Sequence, residues 1–170
     1  AQSLAEGYPD LDRLVSSDLP RAVETANAVA LREVFEHLEI EYDDAWRERD
    51  FGVHQGQEGD QFFEENPEFA MLDGHEGAKR NVPEDGESYV EFRERIHSAW
   101  ENLRDETGGT VLVVTHSGVI RAIIAAIENA IIEDVFYEYD VENGSITEIV
   151  IDGEAQLDGV NHIGHLSSSG

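Results

Sequence analysis

Thr110–Arg121 reads TVLVVTHSGVIR. The unbroken apolar run, bounded by Gly109 and Gly118, is the pattern of a strand buried on both faces of a parallel sheet. Val119–Ile127 (VIRAIIAAI) continues as a mostly apolar, deeply packed helix. His116 therefore stands where a buried strand gives way to a helix, with Ser117 and Gly118 directly behind it. In open α/β sheets the ligand crevice lies beyond the carboxyl ends of the strands. A histidine at that point sits where a reacting group should sit, and Gly118 permits close approach. The competing reading is a histidine that merely caps a strand through ordinary hydrogen bonds.

Upstream of this unit, Ser88-Tyr-Val-Glu91 has capping-box spacing, and Phe92, Ile96, Ala99, Trp100 and Leu103 form one helical face running to Gly108. Nearer the start, Leu11–Ser16 (LDRLVS) is a short strand. Leu19, Ala22, Val23, Ala26, Val29 and Val34 follow at helical spacing, with Asp18 or Ser17 as the N-cap. Glu39–Tyr42 (EIEY) is a second short strand. From Asp43 to Asp85, glycines 52, 56, 59, 74 and 77 break the pattern around a short helix at Gln61–Glu65. Downstream, Phe136–Val141, Ile146–Ile151 and Ala155–Val160 alternate around Asn143-Gly144 and Asp152-Gly153, the signals of antiparallel hairpins. Strands alternate with helices early and hairpins close the chain. The expected fold is α/β: a three-layer sandwich with a mixed, mostly parallel sheet and helices on both faces. One domain is expected over residues 1–166, with Ser167–Gly170 as a disordered tail.

At 170 residues the chain is long enough for one sizeable core, and hydrophobic residues make up 40%, too many for a disordered acidic tail. It has no cysteine, which excludes disulfide frameworks, thiolate metal sites and cysteine nucleophiles. Asp and Glu number 38 against 11 for Lys and Arg, a formal charge of -27, and Lys79 is the only lysine. So negative a surface repels nucleic acid and anionic lipid, so neither is an expected partner. The acids are spread along the whole chain, as in proteins of salt-loving archaea. At ~1 M salt the Debye length falls to about 3 Å and quiets such self-repulsion, so molar salt is expected to favour the fold. No run of roughly 18 apolar residues exists to span a bilayer, and a cytoplasmic address is the default expectation.

Two further segments carry chemistry. In Ser16–Ala26 (SSDLPRAVETA) a strand runs into a helix whose first turn carries Arg21 beside free backbone amides. Helix N-terminal amides and a planar guanidinium together make an anion site. Alone, an arginine in a first turn is more often a surface residue or ion-pair partner. Arg47-Glu48-Arg49-Asp50-Phe51-Gly52 opens the loop-rich stretch, where a lone glutamate among so many acids carries little signal.

Together, in this order, these segments resemble the histidine phosphatase (phosphoglycerate-mutase-like) superfamily. The Thr115-His116-x-Gly118 segment completes the set, and Pro83–Ser88 (PEDGES) resembles that family's signal before the long helix. The resemblance implies a two-step phosphoryl transfer through a phosphohistidine, with no metal or cofactor. It makes Arg21 a phosphate ligand, with Ser117 beside His116 as a second contact. His116 becomes the histidine that stabilises moving phosphoryl charge, and Glu48 the acid that protonates the leaving oxygen and later activates water. Lys79 and Arg80 are the candidate substrate contacts, with surface ion pairing as the alternative. His162-x-x-His165 lacks acidic ligands at zinc-like spacing and is not read as a metal site.

One departure stands out. The family's Arg-His-Gly triplet, carrying the nucleophilic histidine at the end of its first central strand, occurs nowhere here, and none of the seven histidines ends an N-terminal strand. Ala1–Glu6 reads as the end of a helix closed by Gly7, so the chain is expected to be N-terminally truncated and to lack that strand. Phe51 replaces a tyrosine found in glycolytic mutases, and Gly59 stands where their lysine is expected. The expected activity is therefore hydrolysis of a small phosphorylated metabolite. A mutase-type phosphoryl transferase and an inactive phosphate- or protein-binding relative are the alternatives. The oligomeric state is not written in the sequence.

Overall fold

The computed structural model describes residues 1–57, 59–69, 78–106 and 108–166; the tail expected at 167–170 lies outside them. The framework is a parallel three-stranded sheet. Its middle strand, β1 (Arg13–Ser16), pairs on one side with β2 (Ile40–Tyr42) and on the other with β3 (Val111–Val114). Leu14 stands opposite both Ile40 and Leu112, so one register runs across the three strands.

Alternation along the strands builds two apolar layers. Leu14, Ile40, Leu112 and Val114 face α1 (Gln2–Gly7) and α2 (Pro20–Ala30), where Leu11, Val29 and Phe35 complete one cluster. Val15, Val111 and Val113 face the other way, onto α4 (Tyr89–Glu106) and α5 (Ser117–Glu128). There they meet Trp46, Phe92, Ile96, Trp100, Val119 and Ile124. Between β2 and α4 comes α3 (Gly59–Glu65), covering the short helix read from the sequence. Helices thus lie on both faces, as the alternating pattern requires.

The long helix α4 begins as its spacing predicts. Ser88 N donates to Glu91 Oε2 at 2.8 Å and Glu91 N to Ser88 Oγ at 3.1 Å, a reciprocal cap. The N-cap expectation for α2 fails. Leu19 occupies that position without a side-chain bond, and Pro20 opens the helix. Asp18 is instead ion-paired with Arg47, and Ser17 Oγ accepts from Leu19 N, at 3.3 Å, ahead of the helix rather than from within its first turn. Gly7 is the last residue of α1 rather than its cap, which falls to Tyr8.

Two expectations about strands need correction. Phe136–Val141 is not a hairpin strand, because residues Ile132–Glu138 form α6. Ile132 and Val135, three apart, bury one face, and Glu133 and Asp134 suit the positive end of a helix. The true hairpin is β4 (Ile146–Asp152) with β5 (Glu154–His162), turning at Asp152-Gly153 where Gly153 has φ +77°. It forms its own two-stranded sheet, so the parallel and antiparallel parts expected of one mixed sheet stand as two.

The second correction concerns β3. All four of its residues are only half buried, against an expectation of burial on both faces. One edge of β3 bonds to β1, and no strand among the described residues bonds to the other.

Candidate active site

The carboxyl ends of β1 and β3 bring together residues 95 and more positions apart. His116 follows β3 and holds the N-cap position of α5, its carbonyl accepting from Ile120 N at 3.0 Å. Its ring is 7% exposed and bonded on both nitrogens. Arg21, in the first turn of α2, donates from Nε to Nδ1 at 3.1 Å. Nε2 lies 2.8 Å from Ser17 Oγ. A guanidinium N–H can only donate, so Nδ1 carries the lone pair and Nε2 the proton, which it gives to Ser17. Burial pushes the imidazole pKa down to about 4, helped by the cations of Arg21 and Arg95. His116 is therefore neutral at pH 7.

Arg21 itself is exposed and, among the described residues, has no carboxylate within ion-pairing distance. In a chain with 38 acids, a first-turn arginine left without one is open to an external anion. The helix start beside it supplies the positive end of the macrodipole, while Pro20 has no N–H and Ala22 N and Val23 N already donate to Leu19 O.

Glu48 approaches the same region from the loop after β2. Its Oε2 accepts from Gly118 N at 3.0 Å, in the first turn of α5 and two residues beyond His116, while Oε1 accepts from Arg49 N at 3.0 Å. Only glycine permits this, because a Cβ on residue 118 would stand 2.2 Å from Glu48 Oε1. Arg121, one turn along α5, lies over the Phe136 ring at 4.5 Å and feels the charge of Glu48. Thr115 Oγ1 donates to Trp46 O at 2.8 Å and ties the end of β3 to the loop carrying Glu48. Thus an arginine cation, a neutral imidazole and a half-buried carboxylate converge at one end of the sheet, the inventory needed to hold a phosphoryl group and exchange a proton beside it.

Ser117, expected as a phosphate contact, opens α5 half buried and makes no side-chain hydrogen bond among the described residues. Lys79 is ion-paired with Glu133 of α6, and Arg80 is exposed. Among the described residues, no hydrogen bond or ion pair joins either of them to Arg21, Glu48 or His116. Sequence reasoning missed Ser17, which is fully buried and holds the imidazole. Its signal was available: like His116, it directly follows a strand that ends in the crevice.

The profile described as "Histidine phosphatase superfamily (branch 1)" matches residues 1–161. The "Metal-independent phosphoserine phosphatase" of Arabidopsis thaliana is 32% identical over 157 residues, covering 91% of this chain and 63% of that protein. "Phosphoglycerate mutase-like protein 4", also of Arabidopsis thaliana, is 32% identical over 114 residues, covering 66% of this chain. The chain spans about half of that relative's length, 49%. Among solved structures, a mycobacterial glucosyl-3-phosphoglycerate phosphatase superposes with a TM-score of 0.72 at 27% identity, over 94% of this chain and 83% of that one.

Proposed function

The chain belongs to branch 1 of the histidine phosphatase superfamily, and we propose that it forms the larger part of a phosphomonoesterase for a small phosphorylated metabolite. The observation that carries this reading is the Arg21–His116 contact, made at the strand ends beside Glu48. Two relatives named as phosphatases support hydrolysis over transfer.

In the first step a histidine nitrogen attacks phosphorus, the N–P bond forms and the bond from phosphorus to the ester oxygen breaks. Arg21 neutralises equatorial oxygens, and the neutral His116 lies against the same group as charge moves. The Glu48 carboxyl gives its proton to the departing oxygen, which leaves as an alcohol. In the second step water attacks phosphorus, passing its proton to the Glu48 carboxylate. The P–N bond breaks, inorganic phosphate is released and the starting protonation returns.

The attacking histidine is proposed to come from a strand outside this sequence, seated on the outer edge of β3. Two observations support that place. Val111–Val114 is wholly apolar yet only half buried, and the hairpin of β4 and β5 packs on the same core without bonding to the parallel sheet. A strand between them would bury the first and join the second.

The test is to incubate the whole natural protein, and this 170-residue chain, with a radiolabelled phosphomonoester. An acid-labile, alkali-stable protein-bound label and free phosphate are expected from the whole protein alone. Arg21→Ala should lower kcat/KM by about 100-fold, the loss typical of one oxyanion donor. Transfer of the label to a second metabolite instead of water would favour a mutase. Absence of both label and turnover would favour a phosphate-binding protein.

A further inference from the structure

The catalytic role given to Glu48 demands that its carboxyl be held within a fraction of an ångström on a loop lacking regular structure. What holds that loop is a pair of side chains from elsewhere. Arg95, in the second turn of α4, donates from Nη1 to Ala45 O at 2.8 Å and to Arg47 O at 3.0 Å. Its Nε donates to Glu87 Oε2 at 3.3 Å and its Nη2 to Glu87 Oε1. Glu87 in turn grips the other flank. Its amide donates to Asp50 O at 2.9 Å, its carbonyl accepts from Arg49 Nε at 3.1 Å, and its Oε1 accepts from Asp50 N at 3.4 Å. Residues 45, 47, 49 and 50 are all bound by these two residues, leaving the Glu48 side chain free to reach Gly118.

The backbones cross closely enough to make this grip stiff. Gly52 has φ +56°, and a Cβ there would stand 1.8 Å from Glu84 O, while one on Gly86 would stand 2.7 Å from Asp50 O. Arg95 also lies over the Phe92 ring at 5.3 Å, which fixes its plane. A planar fork spans two carbonyls and a carboxylate at once, which a lysine ammonium cannot do.

We propose that Arg95, together with Glu87, positions Glu48 for proton delivery to the leaving oxygen. The inference rests on the phosphomonoesterase reading above. Arg95 touches no substrate; it acts through the loop, and its cation also helps keep His116 neutral.

A merely structural arginine would slow the first step on all substrates alike, whereas one that positions a general acid slows that step only for esters that need a proton to leave. The experiment measures the single-turnover rate of phosphoenzyme formation, the step in which Glu48 gives its proton, for the whole natural protein and for Arg95→Lys on two monoesters. One is an alkyl phosphate, whose alkoxide must be protonated; the other is a nitrophenyl phosphate, whose phenolate departs unaided. Loss of about 100-fold in that rate on the alkyl ester is expected, the cost of a misplacement near 1 Å, with the nitrophenyl rate of the same step nearly unchanged; steady-state turnover falls on both, because Glu48 also takes the proton of water in the second step. Glu48→Gln should show a larger first-step loss on the alkyl ester and lower the turnover of both esters, since the second step needs its carboxylate. Should Arg95→Lys fail to fold by thermal melt, Glu87→Gln keeps both backbone contacts of residue 87 and should show the same selectivity at smaller amplitude. Equal losses of the first-step rate on both esters in a folded variant would overturn the positioning role and leave the phosphatase reading intact. No turnover of either ester by the unaltered protein would overturn both.

Discussion

Strands β1 and β3 are hydrogen-bonded neighbours, and Leu14 of one stands directly opposite Leu112 of the other in the same apolar cluster. Leu14 has no exposed surface, whereas Leu112 and its three companions are half buried. Side-chain type, register and layer are matched, so none of them explains the difference. What differs, among the described residues, is the number of strands alongside: β1 has one on each edge and β3 has one. Apolar patterning states what a strand can tolerate burying; the neighbours decide whether it is buried.

The comparison can be broken most directly by truncating the two leucines. Leu14→Ala should cost about 4 kcal/mol and Leu112→Ala about 2 kcal/mol, because the half-exposed site loses less buried surface and leaves less cavity. Urea midpoints read both values. In the whole natural protein, where a further strand is proposed to cover β3, the two costs should converge. If they stay apart there, the open edge is not what exposes Leu112. In molar potassium chloride the melting midpoint of every variant should rise, since a charge of -27 repels itself, while the gap between the two leucines persists. An unchanged midpoint would remove the salt expectation without touching the comparison.

The strand ends give the next largest effect. His116, at the end of the half-buried strand, is itself buried and holds its proton only below about pH 4, for burial first and the nearby arginines second. An unfolded imidazole takes a proton near pH 6.5, so between these values the unfolded chain binds more protons. The stabilisation is present above about pH 6.5 and is lost as pH falls towards 4. Arg21 is exposed and can swing away, which relieves part of the strain and sets the loss at about 2 kcal/mol. His116→Gln should lack this component, so its stability should fall less steeply between pH 7 and pH 4. Parallel pH profiles for the two proteins would show that the crevice at the end of β3 is as open as its edge.

Features carried by local signals were legible in the sequence, and features carried by packing were not. The Ser88–Glu91 cap, the helix face of α4, the Asp152-Gly153 turn and the strand-to-helix step at His116 each depend on a few adjacent residues. They appear where the spacing placed them. Residues 136–138 failed because alternation over a few residues cannot be told from the end of a helix whose buried face, Ile132 and Val135, begins earlier. The site divides the same way. Arg21 and His116 could be singled out, each by its place at a strand end or helix start. Their mutual contact, the seat of Glu48 on Gly118 and the grip of Arg95 on Ala45 and Arg47 span 48 to 95 residues and leave no trace in spacing.

The smallest expected effect is the control that keeps the strand comparison honest about its cause. Ser88 is 4% exposed, and its hydroxyl both accepts from Glu91 N and donates to Glu91 Oε2 at 2.7 Å. These bonds hold the Glu91 carboxyl below its ordinary range. Ser88→Ala removes the N-cap oxygen and should cost about 1 kcal/mol. The cap is built wholly within the first turn of α4, so that cost should be the same in this chain and in the whole natural protein. Leu112→Ala, whose cost depends on what lies along β3, should change between the two. Were Ser88→Ala to change by as much, the exposure of β3 would reflect a loosening of the entire fold, and the proposed neighbour would no longer explain it.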